Sequence, residues 1–230
     1  MAARLLFLLG GSAHPVLDLV AQAFVPAAGG REARIVLLLL GGSGWEKYVP
    51  QYAEPWERQG ATRHSVVVPN DEGVLDVGTA STAIREATGI FIGGGNTTVY
   101  RQLYATEPIR SLIRERYARG IPIAGLSAGA IIAPQRCAAE RDPCDDASVT
   151  IEEGIGLIDG LVVVPHYTER SRTPRLLEAM AQARIASGLG IDEAACVVIE
   201  DGKVAGVLGE SAYWVEMTDF DTGAHSVRRL

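Results

Sequence analysis

Cysteine is scarce in this chain, and the few cysteines lack the spacing of a metal site or a disulfide framework. There are 3 in 230 residues, so they cannot all pair within one chain. No C-x-x-C motif occurs, and the 4 histidines do not cluster. These absences argue against a disulfide-rich secreted scaffold and against a zinc domain. We therefore expect no bound metal.

Long apolar runs are also missing. The longest, residues 35–40, is far shorter than the roughly 20 residues that cross a bilayer. A second run, residues 5–9, leads straight into Gly10-Gly11, which favours a first strand over a signal peptide. The sequence thus predicts no membrane partner and a reduced, cytoplasmic protein.

Positive charge is too sparse for a general nucleic-acid binder. The chain carries 21 basic and 28 acidic residues, for a net charge of −7. Affinity for a phosphate backbone depends on concentrated positive charge, so we expect no nucleic-acid partner. The remaining composition, with 47% hydrophobic and 21% charged residues, is ordinary globular usage and excludes a disordered chain or a coiled-coil rod.

Short, continuous apolar segments alternate with amphipathic ones along most of the chain. Continuous runs are typical of strands that are covered on both faces. The predicted strands are residues 5–9, 35–40, 65–68, 89–92, 121–125 and 161–164. The predicted helices are residues 15–24, 46–59, 79–87, 97–104, 108–119 and 174–187. This alternation predicts an α/β fold, with a three-layer, mostly parallel sheet and helices on both faces, in one domain over residues 1–230.

The C-terminal part has a different pattern. Residues 195–200, 204–208 and 212–215 are short apolar segments, and the first two are joined by an Asp201-Gly202 turn. They predict a C-terminal antiparallel meander.

Glycine clusters follow several predicted strands, at Gly10-Gly11, at residues 41–44 and at residues 93–95. In an open α/β sheet the carboxyl ends of the strands form the ligand crevice. No G-x-G-x-x-G and no P-loop motif is completed, which argues against a dinucleotide or nucleotide cofactor. For the first two clusters a simple turn role is the favoured interpretation.

The segment Gly125-Leu126-Ser127-Ala128-Gly129 is a G-x-S-x-G motif between a predicted strand and an apolar, alanine-rich helix start. A serine at such a sharp turn is held in a strained conformation with its hydroxyl exposed, and small residues on either side let strand and helix pass closely. The backbone N–H of Ala128 then points to where an oxyanion would form. The motif predicts a serine nucleophile, and an inert serine in a tight turn is the alternative.

A serine nucleophile needs a base and an acid. His166 follows a predicted buried strand at its carboxyl end, which favours it as the base, and His14 stays open because it also follows a strand. For the acid, the sequence offers a group of carboxylates after the predicted helix that follows Ser127: Glu140, Asp142, Asp145 and Asp146.

Four blocks in the same order resemble the dipeptidase E and cyanophycinase family of serine peptidases. They are FIGGGNT (residues 91–97), GIPIAGLSAGA (120–130), PHYTERSRTPRL (165–176) and GIDEAACVV (190–198). The resemblance implies a class I glutamine-amidotransferase-like fold in which serine replaces cysteine. It also implies a homodimer that needs no metal or other cofactor.

The same resemblance implies roles for individual residues. Ser127 matches the nucleophile and His166 the base. Asp142 stands at the spacing of the dipeptidase E acid, and Asp145 is the alternative near the cyanophycinase position. The oxyanion-hole positions match Gly94 and Ala128, and the substrate loop matches Gly95 and Asn96.

The sequence also departs from both branches of that family. Val164-Pro165 precedes His166 where cyanophycinases have Asp-Gln, while the trio Arg170, Arg172 and Arg175 is more cyanophycinase-like. The arginines predict a site for an acidic substrate group, because guanidinium binds carboxylate through two parallel hydrogen bonds. The alternative is that they are exposed helix arginines paired with Glu169 and Glu178.

The leading hypothesis is a serine exopeptidase that acts on short peptides with an N-terminal or isopeptide-linked aspartate. A cyanophycinase-like or microcin-immunity-like amide hydrolase is the second hypothesis. The third is a catalytically silent module that binds a small ligand in the glycine-lined crevice.

Overall fold

A computed structural model describes residues 3–13, 15–142 and 145–230, and leaves the side chains of residues 140–148 undescribed. Within these ranges the chain forms strands β1 (Leu5–Leu9), β2 (Arg34–Leu38), β3 (Arg63–Val67), β4 (Gly89–Ile92), β5 (Ile123–Leu126), β6 (Arg136–Asp142), β7 (Asp145–Glu153), β8 (Leu161–Pro165), β9 (Ser187–Ile191), β10 (Ala195–Glu200), β11 (Lys203–Gly209), β12 (Ala212–Asp219) and β13 (Ala224–Arg229).

The helices are α1 (Val16–Ala27), α2 (Val49–Arg58), α3 (Val77–Glu86), α4 (Thr97–Tyr104), α5 (Ile109–Ala118), α6 (Ala128–Ile132) and α7 (Thr173–Ala183). Two 3-10 helices cover Gly30–Glu32 and Trp45–Tyr48. No helix in the described ranges combines the length and apolarity needed to cross a bilayer.

A seven-stranded sheet in the order β11-β10-β1-β5-β4-β2-β3 forms the centre of the molecule. Strands β1 to β5 pair in parallel, and β10 and β11 add an antiparallel edge. Alternate side chains of one strand enter opposite cores: Leu6 and Leu8 pack on the side of α3 to α6, whereas Phe7 and Leu9 pack on the side of α1 and α2. The continuous apolar runs are explained by this two-sided burial, and the predicted three-layer α/β fold is confirmed.

A four-stranded sheet in the order β13-β12-β9-β8 stands beside the central one. Its apolar side chains pack on α7, as Val162, Leu176 and Met180 show. The predicted C-terminal strands are present, but they do not form one meander. Strands β10 and β11 pair as a hairpin in the central sheet, while β12 pairs with β9 and β13 in the second.

The second sheet changes the interpretation of two segments. The predicted strand at residues 161–164 is β8, and it pairs in parallel with β9 instead of joining the central sheet. The C-terminal end of the predicted helix 174–187 is not helical, because α7 stops at Ala183 and Arg184 adopts a left-handed conformation with φ 55°. Strand β9 begins only three residues later.

Candidate active site

Ser127 occupies a sharp turn between β5 and α6, as its motif predicts. Its backbone is in an unusual conformation for a non-glycine residue, with φ 49° and ψ −105°. A Cβ atom on Gly125 would lie 2.5 Å from the carbonyl oxygen of Gly129, and one on Gly129 would lie 2.4 Å from that of Ile92. The turn can form only because glycine stands at both positions, and it holds the Ser127 hydroxyl at the carboxyl edge of the sheet.

Two hydrogen bonds of equal length connect Ser127 to a carboxylate through His166. Ser127 Oγ lies 2.9 Å from His166 Nε2, and His166 Nδ1 lies 2.9 Å from Glu193 Oε1. A carboxylate can only accept, so Nδ1–H is the donor to Glu193. That tautomer leaves Nε2 free to accept the Ser127 hydroxyl proton, which is the arrangement of a nucleophile, a base and an orienting acid.

The second sheet brings His166 and Glu193 together. In the parallel pairing of β8 and β9, Pro165 stands opposite Ile191, so the residues that follow each strand are neighbours. The two loops are also tied to each other by backbone donors. The N–H of Thr168 donates to Asp192 Oδ1 and the N–H of Glu193 donates to Glu169 Oε1, each over 2.9 Å. These bonds fix the distance between the imidazole and the carboxylate.

Gly11 has a role in this arrangement beyond a simple turn. A Cβ atom there would lie 2.9 Å from both Cα and Cβ of Glu193. Because glycine stands at this position after β1, the loop that carries Glu193 can approach the end of the central sheet. The absence of a side chain at Gly11 therefore allows Glu193 to lie close to His166.

The environment of His166 favours its neutral form. Burial of the ring is the main cause that lowers its pKa below the ordinary 6.5, and the positive charge of Arg170 lowers it further. The hydrogen bond and negative charge of Glu193 act in the opposite direction, but the net shift is downward. The imidazole is thus neutral near pH 7 and able to accept a proton.

The two predicted oxyanion-hole positions flank Ser127. Gly94 follows β4, where a Cβ atom would lie 3.2 Å from Cβ of Ser127. Ala128 is the first residue of α6, so its N–H has no acceptor within the helix. Gly129 N–H donates to the Gly93 carbonyl over 3.1 Å and holds the glycine loop against α6. Both candidate donors are placed next to the nucleophile.

A cavity of about 540 Å³ opens above Ser127 and His166. Gly94 and Gly95 line it, whereas the Asn96 side chain caps α4 by accepting the N–H of Val99 over 3.0 Å. Asn96 is therefore a helix cap in this structure, and its contact with substrate stays a prediction.

The three arginines take three different positions. Arg170 is exposed and lines the cavity. Arg172 also lines it but is only 5% exposed, and its guanidinium donates to the Pro165 carbonyl over 3.1 Å. Arg175 is 4% exposed and points from α7 to the Ala138 carbonyl of β6, 3.5 Å away. The interpretation of all three as exposed helix arginines does not hold for Arg172 and Arg175.

Sequence reasoning did not assign a role to Glu193. The sequence signal for this residue is the GIDE segment (residues 190–193), which contributes to the family resemblance. The predicted acids Asp142 and Asp145 stand at the tip of the β6–β7 hairpin, where their backbones pair with each other. Their side chains, and the whole of His14, lie outside the described residues. Where the sequence predicted an aspartate, the structure thus places Glu193 against His166 Nδ1.

Comparisons with known proteins place the chain in a family. The model of peptidase family S51 matches residues 6–207. Over 166 residues the chain is 26% identical to a cyanophycinase from Nostoc sp., covering 70% of this chain and 56% of that protein. The chain thus spans little more than half the length of that relative.

Two further proteins are similar to this chain over a larger share of their own length. A protein of Drosophila melanogaster named "Probable alpha-aspartyl dipeptidase" is 31% identical over 179 residues, covering 71% of this chain and 72% of that one. The crystal structure of a peptidase from an acI-B1 Actinobacterium superposes with a TM-score of 0.67 at 19% identity, over 98% of this chain and 93% of the other, which supports the fold. The family match extends over most of the chain, so this protein belongs to peptidase family S51.

Proposed function

We propose that this chain is a serine exopeptidase that hydrolyses short peptides with an N-terminal or isopeptide-linked aspartate. The observation that carries the proposal is the hydrogen-bonded series Ser127–His166–Glu193, with both links at 2.9 Å, at the floor of a cavity lined by arginine. The names of the relatives support the same class of substrate, since they include a cyanophycinase and an alpha-aspartyl dipeptidase.

The proposed reaction assigns its steps to Ser127 and the residues beside it. Ser127 Oγ attacks the scissile carbonyl carbon while its proton passes to His166 Nε2, and the carbonyl electrons move to the oxygen. The N–H groups of Gly94 and Ala128 stabilise that oxyanion. When the C–N bond breaks, the imidazolium gives its proton to the leaving amine. Water then attacks the acyl-enzyme by the same path, releasing the acid and restoring Ser127.

Glu193 is the acid of this proposal, in place of Asp142 and Asp145. It holds the imidazole in the tautomer that accepts from Ser127, and its charge stabilises the imidazolium that forms. The glutamate is half exposed, but Gly11 and the bonded loops restrain its position.

Arg170 and Arg172 provide the acidic selectivity, since both line the cavity beside His166. We expect the wild type to cleave Asp-Leu at least about 100-fold faster than Asn-Leu in kcat/KM, because guanidinium groups stabilise the charge of an aspartate carboxylate and the neutral amide of asparagine gains no such stabilisation. Replacing the recognising arginine, in Arg170→Ala or Arg172→Ala, should bring the two rates close together.

Arg175→Lys is the matched control, because Arg175 is buried against β6 and is not among the described residues that line the cavity. It should keep the preference for Asp-Leu. Equal wild-type rates for Asp-Leu and Asn-Leu would contradict acidic selectivity, whichever arginine is then replaced.

The pH dependence follows from the lowered pKa of His166. The base must be neutral, so kcat/KM should fall as the pH drops through this pKa, with a midpoint below the ordinary 6.5. Removing a positive charge in Arg170→Ala favours the protonated imidazole, so the midpoint should move to higher pH. Arg63→Ala, an exposed arginine on β3, should leave the midpoint unchanged. An acidic limb above 6.5 in the wild type, or no movement in Arg170→Ala, would count against this account.

A fluorophosphonate probe tests the proposal against the silent binding module. The probe reacts with an activated serine, so folded wild-type protein should be labelled at Ser127. A screen of Asp-X dipeptides against blocked and acyl-amino substrates then separates the dipeptidase from an amide hydrolase of the microcin-immunity type. Absence of labelling in folded protein would favour the silent module.

A further inference from the structure

The cavity above Ser127 has two sides, which lie over different strands of the central sheet. Ser127 follows β5, which lies between β1 and β4 in the sheet. On the β1 side, Gly11 packs closely against Glu193. His166, Arg170 and Arg172 lie on the same side, because they follow β8, which pairs with the strand that precedes Glu193. On the other side come the ends of β4 and then β2. Neighbouring strands are about 4.8 Å apart, so the cavity extends about 10 Å from the Ser127 strand to the end of β2.

The side beyond β4 is built from aromatic residues. Trp45 and Tyr48 come from the 3-10 helix after β2, Tyr52 from α2 and Tyr100 from α4, and all four line the cavity. We call these four residues the aromatic wall. Leu39 and Leu40 continue it at the end of β2.

The inner part of the aromatic wall is held in place. Tyr52 is 7% exposed, with its ring centroid 5.2 Å from that of Phe91, and Tyr100 is fully buried. Tyr48 at the outer end is 60% exposed. The inner residues of the aromatic wall, Tyr52 and Tyr100, are thus fixed by packing, whereas Tyr48 at its outer end is exposed and can be covered by a ligand.

The aromatic wall is uncharged, in contrast to the side that carries His166. Burial raises the pKa of Tyr52 to about 12 and that of Tyr100 further, so both hydroxyls stay protonated. Among the described residues that line the cavity, Arg170 and Arg172 carry the guanidinium groups, and they come from the segment after β8 that also carries His166, whereas the aromatic wall comes from the segments after β2 and β4. A ligand that fills the cavity therefore meets positive charge at one end and apolar rings at the other.

We propose that the aromatic wall is a binding site for the substrate residue across the scissile bond from the acidic group, and that it selects a large apolar side chain, above all an aromatic one. This inference rests on the proposed function for the position of the scissile bond. Ring-on-ring contact and removal of apolar surface from water both favour phenylalanine over alanine at this place. The substrate class is then an acidic residue joined to a bulky apolar one.

The test compares kcat/KM for Asp-Phe, Asp-Leu and Asp-Ala. The wild type should prefer Asp-Phe over Asp-Ala by about 10- to 100-fold, with Asp-Leu between them. In Trp45→Ala and Tyr48→Ala the preference should shrink at least about fivefold, because kcat/KM for Asp-Phe falls more than kcat/KM for Asp-Ala. Tyr48→Phe keeps the ring and should keep the preference. Rates for Asp-Phe and Asp-Ala within about twofold in the wild type, or an unchanged preference in both alanine variants, overturn the inference.

A binding measurement separates this inference from the proposed function. Calorimetry with the Ser127→Ala variant, which binds without turnover, should give a Kd for Asp-Phe at least about tenfold lower than for Asp-Ala. If no dipeptide is cleaved by the wild type, the proposed function fails, yet the ratio of the two Kd values still decides on the aromatic wall. Equal Kd values, or no binding of Asp-Phe, overturn it.

Discussion

Replacing Ser127 with alanine should lower kcat by about 10⁴-fold or more and leave the fold intact. The hydroxyl is the atom that forms the acyl-enzyme, and no other described group is hydrogen-bonded to His166 Nε2. Alanine keeps the same Cβ in the strained turn, with φ 49°, so the backbone is no worse accommodated than with serine. The measurement is turnover of Asp-Leu together with thermal unfolding of both proteins.

Ser12→Ala is the matched control, because Ser12 lines the same cavity, while the side-chain hydrogen bonds of His166 among the described residues go to Ser127 and Glu193. It should lose less than about tenfold in kcat. Near-wild-type turnover in Ser127→Ala would remove Ser127 from the nucleophile position.

Replacing Glu193 with glutamine should cost about 10³- to 10⁴-fold in kcat. Glutamine has the same shape, but its amide can donate to Nδ1 and so favours the wrong imidazole tautomer, in which Nε2 carries the proton and cannot accept from Ser127. KM should change far less than kcat, because Glu193 orients the base and does not bind substrate in this proposal.

Asp142→Asn and Asp145→Asn are the paired controls, since the family resemblance assigns the acid to one of these two positions. Both variants should keep at least about a tenth of the wild-type kcat. A collapse of activity in Asp142→Asn together with an active Glu193→Gln would return the acid to the position implied by the resemblance.

The local parts of the site could be predicted because adjacent residues determine them. The predicted helix 97–104 coincides with α4, which begins after an N-cap formed by Asn96. The turn at Ser127 was predictable for the same reason, because the two glycines that permit it lie two residues away on either side. Continuous apolar runs likewise predicted the buried strands of the central sheet.

The partner of His166 could not be predicted in this way. Its position depends on the pairing of β8 with β9, which are separated by 21 residues of chain between Pro165 and Ser187. It also depends on α7 ending at Ala183, whereas the sequence pattern predicts a helix up to residue 187. Strand β9 is short and contains two glycines, so its propensity for strand is weak. The pairing of β12 with β9 in the second sheet is equally non-local, because these strands are not adjacent in the sequence. The homodimer and the cytoplasmic location stay predictions.

The labelling rate of Ser127 by a fluorophosphonate tests the central claim, a serine activated through His166 by Glu193, without knowledge of the substrate. Peptide mass spectrometry locates the label, and the rate is compared among the wild type, Glu193→Gln and Asp142→Asn. We predict rapid labelling at Ser127 in the wild type, labelling slowed at least about 100-fold in Glu193→Gln, and an unchanged rate in Asp142→Asn. Labelling at another residue, or the same rate in the wild type and Glu193→Gln, would contradict the account.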